Sequence, residues 1–181
     1  MGDSETPKST MRFLFEVVQI VVIAIALSWV LRTYVVEARQ IPTPSMVPTI
    51  QIGDRVIIDK FYFKYFDHIR SGDIIVFRPP PKANDTRDFI KRVVGLPGDK
   101  VEIKSNTTYI NDNPLYEPYI THQSNNNFGP VVVPNDSVFV MGDNRNNSDD
   151  SRVWGFLPMQ NIIARNLVRY WPMDQFGPLA R

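Results

Sequence analysis

The chain has 181 residues, enough for one ordinary domain and a short appendage but not for two large cores. Its 20 Lys+Arg nearly balance 19 Asp+Glu, a net charge of +1, so no overall field points to nucleic acid or to an acidic substrate. The absence of cysteine excludes disulfides, thiolate zinc sites and a thiol nucleophile. The two histidines, His68 and His122, exclude a His-rich metal site and are all that a Ser-His-Asp triad has to draw on; neither lies in a motif.

Residues 1–12 are polar and without periodicity, as a solvated tail is. Residues 13–31 (FLFEVVQIVVIAIALSWVL) are the most apolar stretch, interrupted only by Glu16, Gln19 and Ser28. They predict a transmembrane anchor over 13–36, with Trp29 and Tyr34 near an interface and Arg32 snorkelling. A cleavable signal peptide is the rival reading, with Lys8 and Arg12 as its basic region and Val36-Glu37-Ala38 as its cleavage site. The run is long for that purpose, and Arg32 interrupts the approach to the site. A buried soluble helix needs a larger core than this chain can build. Lys8 and Arg12 before the span face Arg32 and Arg39 after it, so charge does not fix the orientation.

The rest, 37–181, reads as a single domain of short β-branched and aromatic runs. Strands are expected over 54–59, 73–77, 89–94, 101–104, 107–110, 131–133 and 137–141, with turns at 71–73, 96–99, 111–114 and 133–136. The class is all-β. Residues 79–86 and 122–127 are expected to be exposed loops, and 159–165 to form one short helix. The run 60–66 (KFYFKYF) interleaves five aromatics with two lysines, which suits either strand packing or a bilayer headgroup region.

Three blocks carry candidate chemistry. In 41–50 (IPTPSMVPTI), prolines on both sides of Ser45 fix φ repeatedly, which makes either a rigid extended support for a nucleophile or a stiff linker. A serine hydroxyl needs a base, and with histidine disfavoured a lysine can serve where desolvation lowers its pKa toward neutrality. Lys91 lies in the apolar run 88–99, where alternation puts it with Phe89 and Val93 while Arg92 joins Ile90 and Val94 on the opposite face. Either Lys91 is the buried member or it is a surface lysine at a strand edge. The third block, 141–152 (MGDNRNNSDDSR), is rich in short polar side chains and suits a loop held by its own hydrogen bonds and an Asp–Arg pair.

Taken in order behind an anchor, IPTPSMVPTI, GDRVIIDKF, DFIKRVVGLPGDKV and VMGDNRNNSDDSRVWG resemble the boxes of bacterial type I signal peptidases. The short region between Val101 and Val131 resembles the compact members found in cyanobacteria and thylakoids. The resemblance implies coiled antiparallel sheets, Ser45 as nucleophile and Lys91 as general base. It also implies Ser148 as the hydroxyl orienting the lysine, Asp150 and Arg152 as a supporting pair, and Thr43 as an oxyanion donor. Thr43 and Pro44 stand where the family usually has a serine and a small residue, and Asn146 where aspartate is common.

The implied activity is removal of signal peptides, whose small residues precede the cleavage site, from exported preproteins. It requires no cofactor and no metal. The implied partners are the signal peptide and the lipid bilayer, with no nucleic acid. The implied location is the bacterial cytoplasmic membrane, single-pass and with the catalytic domain outside, or a thylakoid membrane. Two alternatives stand beside it: a self-cleaving repressor with the same dyad, which needs a DNA-binding segment before the protease, and an inactive anchored binding module.

Overall fold

A computed structural model describes residues 7–30, 36–60, 68–121 and 124–179. Arg32, Tyr34, His122 and the aromatics of the 60–66 run lie outside the described residues. Helix α1 (Pro7–Val30) has proline at its first position, where the missing N–H costs nothing. It therefore starts inside the stretch expected to be a tail. From Met11 to Val30 every side chain is exposed, and this run of 20 residues is long enough to cross a bilayer. Val36 does not end that helix. It opens a strand.

Among the described residues twelve strands follow, paired antiparallel. The larger sheet has eight, in the order β1 (Val36–Gln40), β2 (Arg55–Asp59), β11 (Ile162–Trp171), β3 (Ile74–Phe77), β4 (Phe89–Gly95), β9 (Ser137–Met141), β10 (Leu157–Pro158), with β12 (Gly177–Pro178) also on β11. The smaller sheet runs β7 (Asn113–Pro114), β6 (Thr107–Ile110), β5 (Lys100–Lys104), β8 (Phe128–Val132). The all-β expectation holds. The expected strands are present with shifted ends, the largest shift being β8, which begins three residues before the expected 131–133.

Both faces of the central strands are covered. Ile74 and Val76 of β3 join one apolar cluster with Ile41, Met46, Ile50, Val56 and Ile58, while Ile75 and Phe77 join another with Val93, Val138, Trp154 and Leu157. A third cluster, around Val94, Val101, Ile103 and Phe139, packs the small sheet against the large one. Two-sided coverage explains why β3 is buried at all four positions rather than at alternate ones.

Residues 159–165 are a correction. Only Met159–Asn161 makes a single 3-10 turn, and from Ile162 the chain is the ten-residue strand β11, which binds β2 on one side and β3 on the other. The β-branched Ile162 and Ile163 favour this, and the two ladders override the helix-like spacing of Met159, Ile162 and Ile163. Arg165 enters the sheet buried because the Asp73 carboxylate and the His68 carbonyl each accept from it at 2.8 Å. Asp73→Ala removes this carboxylate from the buried cation, so denaturant unfolding should show a loss of about 3 kcal/mol.

Candidate active site

The nucleophile segment does not stay extended, as its prolines were expected to require. Pro44–Met46 forms one 3-10 turn, which a proline can open because its own N–H would be unpaired there. Ser45 sits at the centre of the turn and is 8% exposed. Asn144 pins it from the loop after β9: its N–H donates to the Ser45 carbonyl at 3.1 Å, and its Nδ2 donates to the Pro44 carbonyl at 3.2 Å.

Lys91 comes from β4 and is 4% exposed. Its Nζ donates to Ser45 Oγ at 2.8 Å and to the Ile90 carbonyl at 3.1 Å, and lies 5.2 Å from the centre of the Phe89 ring. The contact with Phe89 agrees with the alternation that places these two side chains on one strand face. Burial pulls the Lys91 amine down to about 8, against the opposing fields of Asp150, Asp149 and Asp143. Among the described residues a hydroxyl and a carbonyl, and no carboxylate, accept hydrogen bonds from this amine.

Thr43 Oγ1 is 3.4 Å from Ser45 Oγ, on the exposed rim. Both line a cleft of about 830 Å³ together with Ile41, Phe89, Lys91 and Asp149. Burial, then the charge of Asp150, raises the Asp149 carboxyl above the usual carboxylate range. Ser148 Oγ is buried with no hydrogen-bond partner among the described residues, so it makes no bond to Lys91 in this structure. It packs against Gly142, where an added Cβ would lie 2.3 Å from it and 2.4 Å from the Ser45 carbonyl oxygen.

Asp150 and Arg152 meet as a bidentate pair, Nε to Oδ1 at 2.8 Å and Nη2 to Oδ2 at 2.7 Å. Asp150 also accepts the Gly142 N–H at 3.0 Å and the Arg152 N–H at 3.2 Å, capping the short helix α2 (Ser151–Trp154). One carboxylate thus ties both ends of the loop together. Arg152 Nη1 reaches the buried Ser124 Oγ at 3.2 Å. Asn146 Oδ1 accepts from the Asn125 N–H at 3.1 Å, so the asparagine pairs with the 122–127 region.

Arg92 was expected on the face of β4 opposite Lys91, and it is more buried than Lys91, at 0% exposed. Asp143 takes it in bidentate fashion, Nε to Oδ1 at 2.9 Å and Nη2 to Oδ2 at 2.7 Å, and Thr49 donates to the same carboxylate at 2.5 Å. Nη1 donates to the Gly72 carbonyl. The signal that would have found this pair was available: an arginine inside an apolar strand requires an anion, and the 141–152 block supplies one. Asn144 carried no comparable signal, because its role depends on main-chain carbonyls.

The family profile described as "Signal peptidase, peptidase S26" matches residues 14–171. The chain belongs to this family. It is 44% identical over 173 residues to Signal peptidase I of Leptolyngbya laminosa, covering 92% of this chain and 84% of that one. It is likewise 44% identical over 184 residues to Probable signal peptidase I-1 of Synechocystis sp., covering 99% and 93%. Probable thylakoidal processing peptidase 2, chloroplastic, of Arabidopsis thaliana is 40% identical over 161 residues, covering 86% of this chain and 44% of that protein.

For a peptidase S26 chain the repressor alternative falls away, since the match already takes in most of the apolar helix α1. A wide separation of the serine and lysine would have favoured the inactive-module alternative, and they are in hydrogen-bond contact. Two outcomes follow from the site geometry. With Lys91 as the expected base, the free-enzyme acid limb of kcat/KM should fall near pH 8, with the rate rising tenfold per pH unit below it and levelling above, because only a neutral amine accepts a proton. Gly142→Ala should remove nearly all activity in a peptide-cleavage assay, because the new methyl collides with the carbonyl of Ser45 and with Ser148.

Proposed function

We propose that this peptidase removes signal peptides from exported preproteins through an acyl-enzyme on Ser45, with Lys91 as general base. The observation that carries the assignment is the 2.8 Å contact between Ser45 Oγ and a desolvated Lys91 Nζ inside an open cleft. The neutral amine takes the serine proton as Oγ attacks the scissile carbonyl carbon. The resulting oxyanion is held by the Ser45 N–H and Thr43 Oγ1, with the threonine methyl narrowing the hydroxyl's rotamers. The Lys91 ammonium then gives its proton to the departing amine of the mature protein, and the C–N bond breaks. Water, deprotonated by the same amine, hydrolyses the ester and releases the signal peptide as a carboxylic acid.

Ser148 is assigned the orienting hydroxyl, supported by its position in the family motif and by its buried, unpaired Oγ. Asp150 and Arg152 are assigned the support of the loop that carries it, through the pair described above. The substrate binds extended in the cleft, with small residues before the cleavage site. The domain arrangement proposed is a retained anchor beginning at 13 and a catalytic domain over 37–181, with Val36, expected to close the anchor, opening β1 of the catalytic domain instead. It is supported by the exposed apolar helix and by a family match that begins at residue 14, inside that helix.

A single span then keeps the cleft at the bilayer surface where signal peptides emerge. The membrane proposed is the bacterial cytoplasmic membrane with the catalytic domain outside, or a thylakoid membrane, in keeping with cyanobacterial and thylakoidal relatives. Preprotein processing by the full chain in liposomes tests the dyad: Ser45→Ala and Lys91→Ala should each abolish cleavage, and equal processing by both and by wild type would sink the assignment. In the same assay Thr43→Val should slow cleavage by about 100- to 1,000-fold, the usual effect of losing one oxyanion donor.

A further inference from the structure

Residues 115–120 (LYEPYI) leave the end of β7 and run back over the small sheet, where the Leu115 N–H donates to the Thr108 carbonyl at 2.8 Å. None of them belongs to a motif that marks the site. Two of their side chains nevertheless hold the buried arginines next to the dyad. The Glu117 side chain, 6% exposed, grips Arg145 with both carboxylate oxygens, at 2.9 Å from Nη1 and close to Nη2. Arg145 Nη1 also donates to Thr108 Oγ1 at 3.1 Å, and its Nε donates to the Gly142 carbonyl at 3.1 Å. Gly142 is the residue packed against both the Ser45 carbonyl and Ser148.

The second hold is on β4. The Tyr119 ring lies 3.8 Å from the Arg92 guanidinium carbon, a stacking distance, and its hydroxyl donates to Glu117 Oε1 at 3.0 Å. Arg92 directly follows Lys91 and is otherwise fixed by Asp143 and the Gly72 carbonyl. Burial, then the Glu117 charge, pushes the Tyr119 phenol well above its ordinary range, so it remains a neutral donor at any working pH. A single carboxylate and its tyrosine therefore bear on the loop beneath the nucleophile and on the strand that carries the base.

We propose that Glu117 and Tyr119 are positioning residues for catalysis, acting through Arg145 and Arg92 to hold Gly142 and β4 where Ser45 and Lys91 meet. The proposal rests on the assignment of Lys91 as base. Neither residue touches the cleft, so substrate binding should be spared while the chemical step suffers. Dislodging a buried cation from its partner moves groups adjacent to the dyad, and a displacement well under 1 Å is enough to matter to proton transfer.

The test uses the full chain in liposomes and a peptide spanning a signal-peptide cleavage site, with kcat expressed per folded enzyme well below each variant's unfolding midpoint. Glu117→Gln and Tyr119→Leu should each lower kcat by about tenfold with KM within about twofold, and Tyr119→Phe, which keeps the ring over Arg92, should recover most of the loss. Wild-type kcat in folded Glu117→Gln and Tyr119→Leu would overturn the proposal, even if both unfold at lower temperature. Where either does not fold, Thr108→Val removes one hydroxyl from Arg145 and should lower kcat by about threefold, and an unchanged kcat there overturns it equally. Cleavage by Lys91→Ala would instead remove the underlying assignment, whatever the Glu117 and Tyr119 variants do.

Discussion

A lysine amine accepts protons near neutrality only where water is withheld from it, and desolvation works against every charge nearby, not against the lysine alone. The dry region around Lys91 also contains Arg92, Arg145 and Asp143, none of which can be left without a partner there. Each of these charges is held by an opposite one, as Arg165 is by Asp73 further along the sheet. Lys91 differs in meeting a hydroxyl and a main-chain carbonyl. The division suits the chemistry of the two side chains: guanidinium stays charged and makes fixed bidentate pairs, while the amine gives up its proton when buried.

These paired arginines also locate the site. Arg92 joins β4 to the loop after β9 through Asp143, Arg145 joins that loop to the small sheet through Glu117 and Thr108, and Asp150 closes the loop with Arg152. The loop in turn holds the nucleophile turn through Asn144. Ser45 and Lys91, 46 residues apart, are thus brought together by hydrogen bonds made elsewhere, at Arg92 and at Asn144. The contact between them depends less on either local segment than on the loop between.

That dependence explains which parts were legible in the sequence. Strands such as Arg55–Asp59 and Ser137–Met141 are readable because β-branched runs between turn residues leave few other choices. β11 was not, because a ten-residue strand that owes its state to ladders on both sides carries no local alternation to mark it. β1 was missed for a related reason: Glu37, Arg39 and Gln40 look like the polar exit from a membrane span, and only pairing with β2 makes them extended. The turn at Ser45 was hidden by reading proline as a bar to all helical geometry, when it bars only positions beyond the first turn.

The site itself was readable only as an ordered set of blocks. Lys91 alone is indistinguishable from a surface lysine, and Ser45 alone from a linker serine, since burial is conferred on each by residues elsewhere in the chain. Arg92 shows what a stricter use of the same physics gives. A strand reading FIKRVVG places one cation on each face, so a strand buried on both sides must supply an anion for one face and a reason to stay neutral for the other. Asp143 answers the first demand and the burial of Lys91 the second. The two adjacent cations of β4 therefore divide the site between them, one fixing the loop that holds the Ser45 turn and the other meeting the Ser45 hydroxyl.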